Sequence, residues 1–146
     1  MKYLLYIVLF TLILSSCSDN SVDDNKQTVP SELKGKWEGF AYGLKDTARL
    51  SLDFGEQYDD NNCRAEFQLI YYVSSGSNEF RYSIDRNGTS KYIYSKPNLN
   101  VSLLSDNEFN FNGNISTTNN KLSGKVNFLN FQNVKVSYNI ELIKAN

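Results

Sequence analysis

Residues 47–54 read Thr47-Ala48-Arg49-Leu50-Ser51-Leu52-Asp53-Phe54. Successive side chains of an extended strand point to opposite faces, so Ala48, Leu50, Leu52 and Phe54 share one side and Thr47, Arg49, Ser51 and Asp53 the other. A segment with one dry face needs a core to cover it. The same two-residue period returns at Phe80, Tyr82 and Ile84; at Leu99, Val101 and Leu103; at Phe109 and Phe111; at Leu122, Val126 and Phe128; and in the last run, Val134, Val136, Tyr138, Ile140 and Leu142. Beyond Pro30 no stretch of helical length repeats its apolar residues at helical spacing, so the domain reads as all-β.

Turn chemistry divides these runs. Asp59-Asp60-Asn61-Asn62, Ser74-Ser75-Gly76-Ser77-Asn78, Asn87-Gly88 and Ser105-Asp106-Asn107 all fall between apolar alternations. Asn-Gly suits the two positive-φ positions of a type I′ turn, which predicts a hairpin across residues 85–91. Nine runs result: 33–42, 47–55, 64–73, 79–86, 89–95, 99–104, 108–115, 121–128 and 134–143. Short connections make consecutive strands antiparallel neighbours. Eight or nine such strands predict an up-and-down meander closed into a barrel, with a two-sheet sandwich as the alternative.

The chain has 146 residues, 15 basic and 16 acidic, and no histidine. Charge balance gives no basic face for nucleic acid. Lack of histidine removes the commonest general base, the usual triads and most transition-metal sites. The expectation is a non-catalytic protein with no cofactor and no metal.

At the amino terminus one lysine precedes an apolar run from Leu4 to Leu14, the pattern of a secretory leader too short to remain as a membrane span. Leu14-Ser15-Ser16-Cys17 resembles the lipobox of bacterial lipoproteins. The resemblance implies cleavage after residue 16, a diacylglyceryl thioether on Cys17 and an acylated (palmitate-type) amino terminus. Two or three acyl chains hold a protein at a membrane where one holds it only marginally. Residues 17–32 are polar and read as a lipidated tether, and residues 33–146 as the barrel domain. Ser18 after the lipidated cysteine favours the outer membrane, and Cys17-Ser18-Asp19-Asn20 followed by Asp23-Asp24 resembles export signals of Bacteroidetes surface lipoproteins. The domain is thus placed in the cell envelope, periplasmic or surface-exposed.

Gly35-Lys36-Trp37 on the first strand, followed by a β meander, resembles the lipocalin and lipocalin-like families. In those barrels the tryptophan lies across the closed end with an arginine of the last strand packed against it; here the last strand carries Lys135 and Lys144 and no arginine. The resemblance implies a barrel that binds a small amphiphilic or glycan ligand, with Trp37, Tyr42, Phe54, Tyr71, Tyr82 and Phe111 as lining residues. Phe40, Phe67, Phe80, Phe109, Phe128 and Tyr138 are further inward candidates. With 10 Tyr and 9 Phe, a barrel of this width either fills itself or holds one small molecule. Ile70-Tyr71-Tyr72-Val73 and Tyr92-Ile93-Tyr94 put aromatic residues on both faces; alternation sends Tyr72 and either Ile93 or the Tyr92/Tyr94 set outward, so Tyr72, Tyr92 and Tyr94 are candidates for an outer surface that meets an envelope protein, as in an immunity protein or an accessory subunit. Glu38, Glu66, Asp85 and Glu141 could serve a carboxylate-based hydrolase if two of them met. Asp53, Glu56, Asp59, Asp60, Asn61 and Asn62 form an oxygen-rich cluster without the spacing of a calcium loop. Cys63 is the only thiol once Cys17 is lipidated, and burial is its expected state.

Overall fold

A computed structural model describes residues 28–42, 46–55, 57–58, 61–130 and 132–145. Eight antiparallel strands form a closed meander barrel: β1 Gly35–Tyr42, β2 Asp46–Phe54, β3 Asn62–Ser75, β4 Asn78–Ser95, β5 Asn98–Leu103, β6 Asn110–Ile115, β7 Lys121–Leu129 and β8 Lys135–Lys144. Each strand pairs with the next, and β8 returns to β1 through Trp37↔Lys144, Glu38↔Ile143, Gly39↔Leu142 and Phe40↔Glu141. The expected barrel is therefore present and the sandwich is not. Leader and tether, including Cys17, lie outside the described residues apart from 28–32.

The alternation read from residues 47–54 holds, with Ala48, Leu50, Leu52 and Phe54 all buried on the inner face. At one end of the barrel residues 28–34 fold across the opening. Leu33 is fully buried, its amide donating to the Pro30 carbonyl at 2.9 Å, and the Trp37 indole N–H donates to the Leu33 carbonyl at 2.7 Å. Lys144 Nζ stands 5.3 Å from the Trp37 ring centre and 3.4 Å from the Glu32 carbonyl oxygen. The last strand thus sets a lysine against the tryptophan where the resemblance implies an arginine.

The interior is filled by its own side chains. Phe67 packs against Phe128 and Phe109 at ring-centre distances of 4.7 and 5.4 Å, and Phe54 meets Tyr92 edge-on at 5.2 Å. Leu50, Leu52, Phe54, Val101, Phe109, Phe111, Leu122 and Val126 have no accessible surface at all, so no water-sized space adjoins them. Of the two interiors open from the sequence, this is the self-packed one.

One hairpin expectation is overturned. Asn87 and Gly88 do not turn the chain; they lie inside β4, where Asn87 pairs with Glu66 and Gly88 with Ala65. Gly88 holds φ = 149°, a backbone state that side chains disfavour. There β4 passes from pairing with β3 alone to pairing with β5, which begins at Ser90↔Leu103. The two runs 79–86 and 89–95 are one strand, and nine runs become eight. The turn instead falls at Gly76-Ser77, inside the earlier Ser/Gly/Asn cluster. A long β3–β4 hairpin results, whose tip, residues 72–83, is exposed on both faces.

Gly39 sits in the closing seam, where a Cβ would collide with the carbonyl oxygen of Glu141 on β8. Gly39→Ala is expected to cost about 2–3 kcal/mol of stability through this overpacking, measured by urea unfolding. A change within about 0.5 kcal/mol would show that the seam does not approach so closely.

Candidate functional site

The inner face of the β3–β4 hairpin does not stop at the barrel rim. Three cross-strand pairs, Leu69↔Ile84, Tyr71↔Tyr82 and Val73↔Phe80, carry the apolar stripe outward, from buried at Leu69 and Ile84 to open at Val73 and Phe80. Tyr71 and Tyr82 stack with ring centres 5.5 Å apart. Facing them across the mouth are Val136 and Tyr138 of β8, Asn130 and Gln132 before it, and Asp46 at the start of β2. Together these residues line a groove of about 580 Å³, within the range of small-molecule sites.

The rim of this groove is polar and specific. Tyr138 donates its hydroxyl to Asp46 Oδ2 at 2.8 Å, and its ring stacks on Phe128 at 6.0 Å. Burial, with the Asp46 bond added, holds the Tyr138 proton well above the usual phenol range. Asn130 Oδ1 is occupied by the backbone amides of Gln132 and Val134 at 2.9 and 3.0 Å, which shape the loop. With the Tyr138 proton committed, the spare valence of the Asp46 carboxylate and the Tyr138 oxygen is acceptor only. The mouth therefore offers an apolar wall and an acceptor-rich rim.

Two of the six proposed lining residues, Tyr71 and Tyr82, meet in this groove. Phe54, Phe111 and Trp37 are inside but sealed in the packed core, where no ligand reaches them. Tyr42 is a correction: it is 77% exposed on the outer wall, stacked on Phe40 at 6.2 Å. Trp37 faces inward, so the strand period sends Phe40 and Tyr42 outward. Phe80 lies on the inner-face stripe but beyond the rim.

The proposed partner surface also divides. Tyr72 is exposed on the hairpin, as expected. Tyr92, only 3% exposed, points into the core, and Tyr94 is partly buried at the closed end, where its hydroxyl donates to Glu32 Oε1 at 3.1 Å. Ile93 is the outward residue of that trio. The pairing Cys63↔Ser90 sets this parity, since the buried cysteine and serine fix Tyr92 and Tyr94 on the same inner side.

Each of the four strand carboxylates is engaged by other side chains. Glu38 meets Lys36 and Arg49 at 2.6 and 3.2 Å, Glu66 meets Arg64 at 2.9 Å, and Glu141 meets Lys121 at 2.8 Å. Asp85 accepts from Gln68 and Ser83 at 2.8 and 2.6 Å. In the oxygen-rich cluster Glu56, Asp59 and Asp60 lie outside the described residues, and among the described residues no three metal-ligating side chains gather. No protein-family model matches the chain, and no curated protein is similar to it.

Cys63 is fully buried and unpaired by any disulfide. Burial, helped by the nearby Asp53 charge, pushes its thiol up to about 12, and burial plus the Glu32 bond pushes Tyr94 up to about 12. The folded chain keeps these protons where the unfolded chain, with thiol and phenol values of about 8.5 and 10, has released them. Stability is therefore full below about pH 8.5 and declines as pH rises toward about 12. Urea midpoints measured against pH are expected to follow that course, with native Cys63 refractory to iodoacetamide at neutral pH. Rapid native labelling, or a midpoint unchanged through this window, would contradict it.

Proposed function

We propose that this chain is an outer-membrane lipoprotein, anchored through Cys17, whose barrel is a non-catalytic module that holds a small amphiphile in the mouth groove. The continuation of the core's apolar face past the rim, over Leu69, Tyr71 and Val73 and their partners Ile84, Tyr82 and Phe80, carries this reading. A packed interior moves the ligand from the lumen, where the resemblance put it, to the mouth. An acyl or similar apolar body lies along the hairpin stripe. Its head donates hydrogen bonds to Asp46 and Tyr138, which favours hydroxyl- or amine-bearing heads over anionic ones.

A second reading rests on Tyr72. The hairpin tip is open on both sides, with Tyr72 on the face opposite the stripe, and an exposed apolar patch of this kind suits an envelope protein partner. The ion-paired state of Glu38, Glu66 and Glu141 gives the hydrolase reading no support.

Native mass spectrometry of the detergent-extracted chain separates these readings. The first predicts a retained adduct of amphiphile mass, its occupancy falling about tenfold in Tyr71→Ser/Tyr82→Ser as roughly 1.4 kcal/mol of apolar contact is lost. Denaturing spectra of the same sample carry the acyl mass expected on Cys17. A co-purifying subunit without an adduct supports the partner reading. An adduct unaffected by the double substitution would remove the mouth as the site.

A further inference from the structure

The two outer walls of the barrel differ in kind. On β1–β4 the outward residues form ion pairs, Lys36 and Arg49 with Glu38 and Arg64 with Glu66, and Arg86 of β4 joins Asp106 at 2.8 Å. The outer wall from β5 to β8 has the ion pairs Lys121–Glu141 and Lys135–Glu108 at its ends, but between them it carries a ladder of amides and hydroxyls. Asn100 of β5 donates to Asn112 Oδ1 of β6, and Asn112 donates to Asn110 Oδ1 at 2.7 Å. Asn127 of β7 donates to the same Asn110 oxygen at 2.9 Å, and Ser137 of β8 donates to Asn127 Oδ1 at 2.5 Å. Ser102 closes the series on Asn100 at 3.2 Å.

This ladder lies along an outer trough of about 960 Å³ that crosses from β4 to β1. At its two margins stand Ile93 of β4 and Phe40 of β1, 74% and 50% exposed. Gly113 and Gly124, cross-strand partners, sit in its floor at mid-course; a Cβ on Gly124 would strike the Asn112 carbonyl and one on Gly113 the ring of the buried Phe111. Among the described residues Lys125 and Glu141 are the only charged ones that line it, and Glu141 is already paired with Lys121.

We propose that this trough is a second binding site, distinct from the mouth, and that it takes an uncharged glycan chain. An asparagine side chain offers two donors and two acceptor lone pairs, and the ladder consumes only part of that capacity while fixing each amide's direction. Fixed amides recurring at the strand spacing of about 4.8 Å match hydroxyl pairs on successive sugar rings. Sugars also present C–H faces, which Phe40 and Ile93 cover at the margins. The near absence of unpaired charge selects a neutral polymer: an acidic one would find little to pair with, and an acyl chain would leave the amides unsatisfied.

Affinity electrophoresis of the detergent-extracted full chain tests this, in native gels containing hydroxyethylcellulose, galactomannan or dextran, with polygalacturonate as the acidic comparison. At least one neutral polymer is expected to retard the protein, at high salt as at low. Phe40→Ser/Ile93→Ser, both on the surface, is expected to weaken that retardation about tenfold or more with an unchanged circular dichroism spectrum. Asn139→Leu, on a groove residue outside the ladder, is expected to weaken it as well. Absence of retardation by all three neutral polymers would overturn the proposal. So would retardation by polygalacturonate alone, or retardation that survives all of these substitutions.

Discussion

Four residue pairs between β1 and β8 turn this sheet into a barrel, and the rest of the structure depends on that seam. Closure removes the free edges that an open meander would present and divides every strand into an inside and an outside. Gly39 allows the two backbones to meet, and Trp37, two residues earlier, fixes which side of β1 is in. Its indole is tied to Leu33 and overlain by Lys144, so the entrance segment and the last strand are fastened at the same point. From Trp37 the parity passes through the register to each neighbouring strand in turn.

Parity together with an aromatic-rich composition determines where binding is possible. Phe54, Phe67, Phe109, Phe111 and Phe128 are enough to fill the lumen of an eight-stranded barrel, which leaves no room for a guest. What remains is surface that the barrel cannot cover. The β3–β4 hairpin outruns its neighbours, because Gly88 lets one strand serve β3 along its length before bending to meet β5. The apolar residues past the rim then face Val136 and Tyr138 across an open mouth, and the groove is the result. On the outside, an amide ladder across β5–β8 gives that wall a chemistry the ion-paired β1–β4 wall lacks.

Much of this was legible in the chain. Alternation at Ala48–Phe54 and Leu99–Leu103 fixed strands and core because a two-residue period has one structural meaning when half the positions are apolar. Where the structure departs from local signals, long-range pairing decides. Asn87-Gly88 has the composition of a hairpin turn, yet glycine also suits a bent strand, and only long-range pairing with Glu66 and Ala65 chooses between the two. Phe40 and Tyr42 look like core residues by size, but strand period and an inward Trp37 require them outside. Tyr92 and Tyr94 against Ile93 was a choice between two parities that no local feature decides; the buried Cys63↔Ser90 pair decides it. Tyr82 follows the alternation of Phe80 and Ile84, whereas Asp46 and Tyr138 meet across 92 residues of sequence and leave no local trace. The asparagine ladder follows the same rule, since four strands must be in register before its amides become neighbours.

The claim that a packed barrel binds at its rim is tested most directly by amide chemical-shift mapping as a short-chain monoacylglycerol is titrated into the protein. The account predicts perturbations confined to Leu69–Val73, Phe80–Ile84, Asp46 and Val136–Tyr138, with the amides of Phe54, Val101 and Phe111 unmoved. Perturbations centred on those core strands would mean that the interior opens to ligand, and would contradict it.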